Sequence, residues 1–267
     1  MLFDSFRPHQ MPTFFGPRPL KDGGGHYRDV TTLVVPYLTD AKRLARYLPK
    51  RFHLDGEPVV QVVYAMNRQV EWLAGRGYNL IEVMVPVEFK GEADQLRGHL
   101  ALVLWENLCD PILTGRENEG MPKLFAEIDD PEIDEGIWRI SARHFGHEIV
   151  DMTVHQQAEL TRAEIDARQQ AGQDRDHWFG WRYMPKIGGI GMALEEPTVF
   201  PLEQTIGRAW QAAGEVTWAL PTWEQNPTQF HIVNALAELP IVETRPATIM
   251  RGSTTLYPKG RAPRVLR

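Results

Sequence analysis

Three apolar runs, at residues 59–66, 80–89 and 99–105, constrain the fold more than any other feature of the chain. Each is rich in Val, Ile, Leu and Tyr, and each is too short and too β-branched for a helix. Each therefore reads as a strand. Residues 31–38 add a fourth strand, and residues 137–145 and 147–154 read as a pair turning at Gly146. Residues 181–187, 206–212, 215–220 and 241–257 supply more β material, and 123–128 reads as extended.

Helical patterns are few. Asp40 is placed to cap a helix carrying Ala41, Leu44, Ala45 and Leu48, which Pro49 stops. Asp110-Pro111 reads as a capped start of a short helix ending before Pro122. Residues 158–172 form the clearest long helical pattern, mostly polar, which reads as an exposed excursion. A last helix is expected over 228–239, with Pro240 after it. Strands and helices do not alternate regularly, which argues against a doubly wound parallel sheet and for one α+β domain over 26–267. Residues 1–25, rich in Pro and Gly and ending in Gly23-Gly24-Gly25, read as an irregular arm.

Composition narrows the function classes. With 267 residues and 43% apolar content, the chain can bury a sizeable core. A net charge of −6 argues against a dedicated nucleic-acid surface. The single cysteine, Cys109, excludes an internal disulfide framework and a multi-cysteine zinc site. It reads as a buried structural cysteine. No stretch reads as a membrane span or a secretory signal, so a cytoplasmic protein is expected.

Several motifs fail on inspection. Gly188-Gly189-Ile190-Gly191 lacks the ending of a phosphate loop and reads as a hairpin turn. His144, His147 and His155 lie close in sequence, but His144 and His147 are expected on opposite faces of a strand, and no metal site is expected. The acidic run from Glu127 to Glu135 is broken by Pro131 and reads as a solvated loop.

One segment stands apart. Of 29 basic residues only seven are lysines, and Lys123 is the one that follows a Gly- and Pro-shaped turn, between Met121 and Leu124-Phe125. Apolar surroundings penalise the charge of a lysine, so the pKa of Lys123 is expected to fall, and a neutral amine attacks carbonyls. A lysine that packs its stem and reaches water fits the same local pattern.

The segment Gly115-Arg116-Glu117 to Pro122-Lys123 resembles the active-site stretch of the acetoacetate decarboxylase superfamily. Other stretches match in the same order. They are Tyr27-Arg28-Asp29, the helix ending at Leu48-Pro49, residues 78–91, Tyr183-Met184-Pro185-Lys186-Ile187, Trp223, Pro227 and Leu239-Pro240-Ile241-Val242-Glu243. The resemblance runs from about 26 to about 260. It implies an antiparallel, cone-like β-barrel or curved sheet with packed helices, and Lys123 as an interior Schiff-base lysine. It also implies that Arg28 holds a substrate carboxylate, a role that suits a guanidinium fork.

The chain departs from the family prototype at three places. Leu124 stands where the prototype has a second lysine. Residues 59–65 contain no acid, and Leu80 takes a second acidic position, with Glu82 two residues on and on the same face. Glu82 and Glu119 are the candidate acid–base carboxylates, and Met121, Phe125 and Trp105 the candidate apolar lining. The superfamily includes pyruvate aldolase-dehydratases that keep the lysine and lose prototype acids. A lysine-iminium lyase of that kind is therefore expected, with 3-oxo acid decarboxylation and non-catalytic ligand binding as alternatives. A small oxo acid and an aldehyde co-substrate are the expected partners, with no metal, cofactor, nucleic acid or membrane. The resemblance also implies a homo-oligomer.

Overall fold

The computed structural model of the protein describes residues 10–16, 25–172, 175, 177–258 and 261–267. Residues 1–9 and 17–24 of the expected arm, and with them Lys21, lie outside these, as does Lys259. The described arm segment, 10–16, holds one 3-10 turn, Thr13–Phe15.

Among the described residues sixteen strands share one sheet. They are β1 (His26–Leu38), β2 (Phe52–Leu54), β3 (Val59–Val70), β4 (Tyr78–Lys90), β5 (Gln95–Glu106), β6 (Lys123–Phe125), β7 (Glu127–Ile128), β8 (Glu132–Asp134), β9 (Ile137–His144), β10 (His147–Glu159), β11 (Trp178–Pro185), β12 (Met192–Phe200), β13 (Leu202–Trp218), β14 (Glu243–Thr244), β15 (Ala247–Leu256) and β16 (Arg264–Val265). The hydrogen-bonded path runs β16-β12-β11-β5-β4-β3-β1-β15-β13-β10-β9-β7. Pairing is antiparallel except where β5 meets β6 and β11. The path has two ends, so the sheet is open. It is nevertheless strongly curved. Phe179 and Val199 near one end share a single buried core with Trp138 and Ile128 near the other.

Alternation along the strands builds that core. Val60, Val62 and Tyr64 from β3, Ile81, Val83 and Val85 from β4, and Val103 and Trp105 from β5 all point into it. Helix α4 (Phe230–Ala237) adds Val233 and Leu236. Helix α1 (Ala41–Ala45) adds Leu44, and Asp40 Oδ1 accepts its capping bond from the Arg43 amide at 2.8 Å.

Four local expectations need correction. Helix α2 (Cys109–Thr114) begins two residues earlier than the Asp-Pro reading places it, with Leu108 at the N-cap, so Asp110 lies inside its first turn. Cys109 is exposed, not buried, because that helix start faces solvent. The helix expected from residue 158 begins at Arg162, since β10 continues through Glu159 and a Thr161–Glu164 capping box sets the boundary. This helix, α3 (Arg162–Gly172), buries only Ile165, as an exposed excursion should. Finally, His144 and His147 stand directly opposite each other in the β9–β10 hairpin, and cross-strand partners share a face. Even so, no group of three or more His, Cys, Asp or Glu among the described residues is placed to hold a metal ion. Among the described residues no helix is long and apolar enough to cross a membrane.

Candidate active site

Strand register assembles the site. Glu82 on β4 is opposite Leu104 on β5, and Leu104 is opposite Lys123 on β6. One step along, Leu80 is opposite Glu106. Residues two apart on a strand share a face, so Tyr78, Leu80, Glu82, Glu106 and Lys123 project from the same side. That side is opposite the large core, which takes Ile81, Trp105 and Leu124. Lys123 is thus buried, but it does not point into the main core of the curved sheet.

The Gly-Arg-Glu to Pro-Lys segment shapes the bed of the lysine. After α2 the chain makes a wide π turn, Gly115–Glu119, ended by Gly120 at φ +73°. A Cβ on Gly115 would stand 2.5 Å from both Cδ and Cε of Lys123 and 2.7 Å from Nζ, so only glycine leaves the side chain room. Arg116 Nη1 donates to the Lys123 carbonyl at 2.9 Å. The Pro122 carbonyl accepts from the Leu104 amide at 3.0 Å, which fixes the segment to β5. Gly120 and Gly180 meet as closely as backbones allow: a Cβ on Gly180 would lie 2.6 Å from the Gly120 carbonyl oxygen.

The Lys123 side chain is 11% exposed, and its Nζ lies 2.9 Å from Oε1 of the fully buried Glu106. It also donates to the Pro111 carbonyl at 3.1 Å. Glu119, buried, accepts a hydrogen bond from the Tyr257 hydroxyl, while its carbonyl accepts from Thr198 Oγ1 at 2.7 Å. The Tyr27 and Tyr78 hydroxyls are 3.2 Å apart, and Trp72 Nε1 donates to Tyr27 Oη at 3.1 Å. Glu82 Oε1 and Glu106 Oε2 are buried without a hydrogen-bond partner.

Titration follows from this packing. Burial pushes Glu82 up to about 8; the charge of Lys123 opposes the rise and that of Glu106 adds to it. Glu106 is likewise raised by burial, against the pull of Lys123. Burial alone would lower Lys123, but Glu106, Glu119 and Tyr27 outweigh it and hold the amine above the ordinary lysine range. The expectation of a depressed lysine pKa is therefore corrected: the surroundings are buried, yet anionic. Burial also raises Tyr27 and Tyr78, so both phenols keep their protons.

The expected site residues divide. Glu82, Glu119 and Lys123 are all buried and electrostatically joined through the lysine. Met121 is buried with Ala101 and Leu104 beside the lysine row. Trp105 is not in the site. It faces the large core and donates to Gln229 Oε1 at 2.7 Å, because it is one residue out of phase with Glu106. Phe125 is largely exposed and packs its ring edge against His144. Arg28 is not brought to the lysine. Its side chain is 64% exposed and pairs with Glu71 at 3.5 Å, since the irregular pairing of β1 with β15 between Tyr27 and Val30 leaves Arg28 and Asp29 facing out. The residues missed from sequence are Glu106, Tyr27, Tyr78 and Tyr257. The available signal for Glu106 was an acid closing the apolar run Leu102-Val103-Leu104-Trp105.

Residues 10–256 match the family model for acetoacetate decarboxylase (ADC). No curated protein matches the chain by sequence. Among solved structures, acetoacetate decarboxylase from Legionella pneumophila superimposes with a TM-score of 0.73 at 19% identity, covering 96% of this chain and 93% of that one. The enduracididine biosynthesis enzyme MppR, in complex with pyruvate, gives 0.68 at 15% identity, covering 91% and 90%. An acetoacetate decarboxylase-like enzyme from Sphingomonas wittichii RW1 gives 0.69 at 14% identity, covering 91% and 94%. At these identities the likeness is one of fold.

Proposed function

This chain belongs to the acetoacetate decarboxylase family, and from that premise we propose that it is a lyase acting on a short oxo acid through an iminium at Lys123. The observation that carries the reading is the buried pair of Lys123 Nζ and Glu106 Oε1 at 2.9 Å. Moving one proton across that ion pair gives a neutral amine and a neutral acid, with no change in net charge. The amine attacks the ketone carbon, and loss of water leaves an iminium cation beside Glu106, whose carboxylate stabilises it.

The finer reaction is condensation of pyruvate with an aldehyde, followed by dehydration. The iminium loses a proton from the pyruvate methyl group, and the resulting enamine carbon attacks the aldehyde. The new alkoxide is protonated to a hydroxyl; loss of the remaining α proton re-forms the enamine, which expels that hydroxyl, protonated a second time, as water and leaves a conjugated iminium, whose hydrolysis frees Lys123. These steps need several proton transfers at neighbouring atoms. A carboxyl group with a pKa near 8, Glu82, both gives and takes protons near neutral pH. Glu119, held by Tyr257, serves the oxygen that departs. In the Tyr27–Tyr78 pair one hydroxyl donates to the other, so one phenol hydrogen is left for a substrate carboxylate oxygen. The MppR structures holding pyruvate, and the condensation product of pyruvate and imidazole 4-carboxaldehyde, support this reading.

Decarboxylation of a 3-oxo acid is the second reading. It is favoured by the crowding of three buried carboxyl groups, Glu82, Glu106 and Glu119, around one ammonium, surroundings in which a substrate carboxylate is poorly stabilised and leaves readily as carbon dioxide. Borohydride added with pyruvate or acetoacetate, followed by intact mass and peptide mapping, tests both. An adduct on Lys123 is expected. Enone formation from pyruvate plus an aldehyde, against carbon dioxide release from acetoacetate, separates the two reactions. A trapped adduct without either product would leave a ligand-binding protein, and no adduct would end both enzyme readings.

A further inference from the structure

We infer that Asn67 is a specificity-determining residue that donates its side-chain N–H to an uncharged acceptor at the far end of the aldehyde co-substrate. The inference rests on the iminium reading above and adds to it the chemistry of the second substrate.

Asn67 lies on β3 directly opposite Tyr78, on the same face as Leu80, Glu82 and the lysine row. It is 5% exposed. Its Nδ2 is buried and has no hydrogen-bond partner. An unsatisfied buried amide is costly, and the fold does not have to carry one here, since an apolar residue would fill the same place. Of the buried side-chain donors without a partner among the described residues, it is the one on this face of β3 and β4.

Its surroundings define the ligand. Asn67 stands between Val30 and Tyr78, which are buried in one cluster with Tyr27 and with Leu80 packed against it, so its neighbours on this face are aromatic and apolar. Asn67 pairs with Tyr78, which lies two residues from the level of Glu106 and four from the level of Glu82 and Lys123, so it stands about 13 Å along the strand from the lysine. That distance is too great for the reacting carbon and suits the far end of a ring carried on the aldehyde. Glu82, Glu106 and Glu119 disfavour a second anion in this space, so an ether or carbonyl oxygen fits Nδ2 better than a carboxylate.

The test compares 4-methoxybenzaldehyde with 4-ethylbenzaldehyde, which match in shape and differ in the ether oxygen, each with pyruvate. The ratio of their kcat/KM values is measured for wild type, Asn67→Leu and Asn67→Gln, and the change in ratio between variants cancels intrinsic aldehyde reactivity. Asn67→Leu is expected to lower the methoxy-to-ethyl ratio about tenfold, mainly through KM, with Asn67→Gln recovering part of it. The two benzyl alcohols, which cannot form an imine, are titrated by tryptophan fluorescence as a readout that needs no turnover, and their affinity ratio should shift alike. An unchanged ratio in both measurements, or equal losses for both ligands, overturns the role of Asn67. Absence of a pyruvate adduct in wild type strikes the iminium reading instead, and the alcohol titration then decides Asn67 alone.

Discussion

Glu106 and Lys123 form an ion pair that the sheet itself assembles, because parallel pairing of β5 with β6 sets Leu104 opposite Lys123 and brings Glu106 alongside. Replacing Glu106 by Gln keeps the volume and an acceptor for the ammonium, and removes both the negative charge and the place for its proton. Burial then acts on Lys123 with less opposition, so the lysine pKa falls. More neutral amine would speed imine formation if amine supply were limiting. If Glu106 is the proton acceptor, kcat drops by about 100-fold or more while borohydride still traps pyruvate on Lys123. Steady-state kinetics and trapping on the same sample separate these outcomes, and undiminished kcat would remove Glu106 from the mechanism.

Gly115→Ala is a cleaner probe of lysine placement. Gly115 has φ −65° and ψ −39°, so alanine suits the backbone there. The added methyl meets the end of the lysine side chain at 2.5 Å, and that flexible side chain is what has to move. The thermal midpoint should stay within a few degrees of wild type while kcat/KM falls about 100-fold, the usual scale for a reacting group displaced by an ångström. Near-normal activity would show that Lys123 reacts from a different rotamer.

Glu82 makes stability depend on pH. Its folded-state value of about 8 lies above the unfolded value of 4.5, so between these the folded protein binds more protons. Stability contributed by neutral Glu82 is fully present below the unfolded value and is lost as pH rises toward 8. Glu82→Gln imitates the protonated form and removes this slope. The variant should match wild type near pH 4.5 and exceed it by a few kcal/mol above pH 8, at about 1.4 kcal/mol per pKa unit. Thermal melts of both proteins across that range check the sign; a wild type that gains on the variant as pH rises would contradict it.

The strands were legible because each carries its own hydrophobic period, as residues 59–66 and 80–89 do. β12 was not, since Glu195-Glu196-Pro197 reads as loop and becomes strand only through pairing with β11 on one side and β16 on the other. β13 looked like two strands because Gly214 interrupts it; Gly214 is there because a Cβ would stand 2.7 Å from Val35 Cγ2. Lys123 was legible because its motif is contiguous. Glu106 depends on a parallel register set by the return of the chain through α2, which local sequence does not encode. Trp105 was misplaced for the same reason, as a shift of one residue along a strand exchanges faces.

Tyr257 and Glu119 offer the last test, because they come from distant parts of the chain and meet through one hydrogen bond. Tyr257 adopts φ +54°, a conformation rare for a residue with a bulky side chain, and its ring packs edge-on to Phe200. Tyr257→Phe keeps the ring and this packing and removes the hydroxyl. If the hydroxyl serves only to orient the Glu119 carboxyl, Tyr257→Phe and Glu119→Gln act through one step and their effects do not add. Each single variant is then expected to lower kcat about tenfold or more, and the double variant to fall little further. If the two residues act independently, the losses multiply. A double-mutant cycle on kcat for pyruvate and one aldehyde, with trapping at Lys123 confirming that the first step survives in all three variants, distinguishes a coupled proton relay from two separate contacts. Multiplying losses would show that Tyr257 acts on the reaction other than through the Glu119 carboxyl.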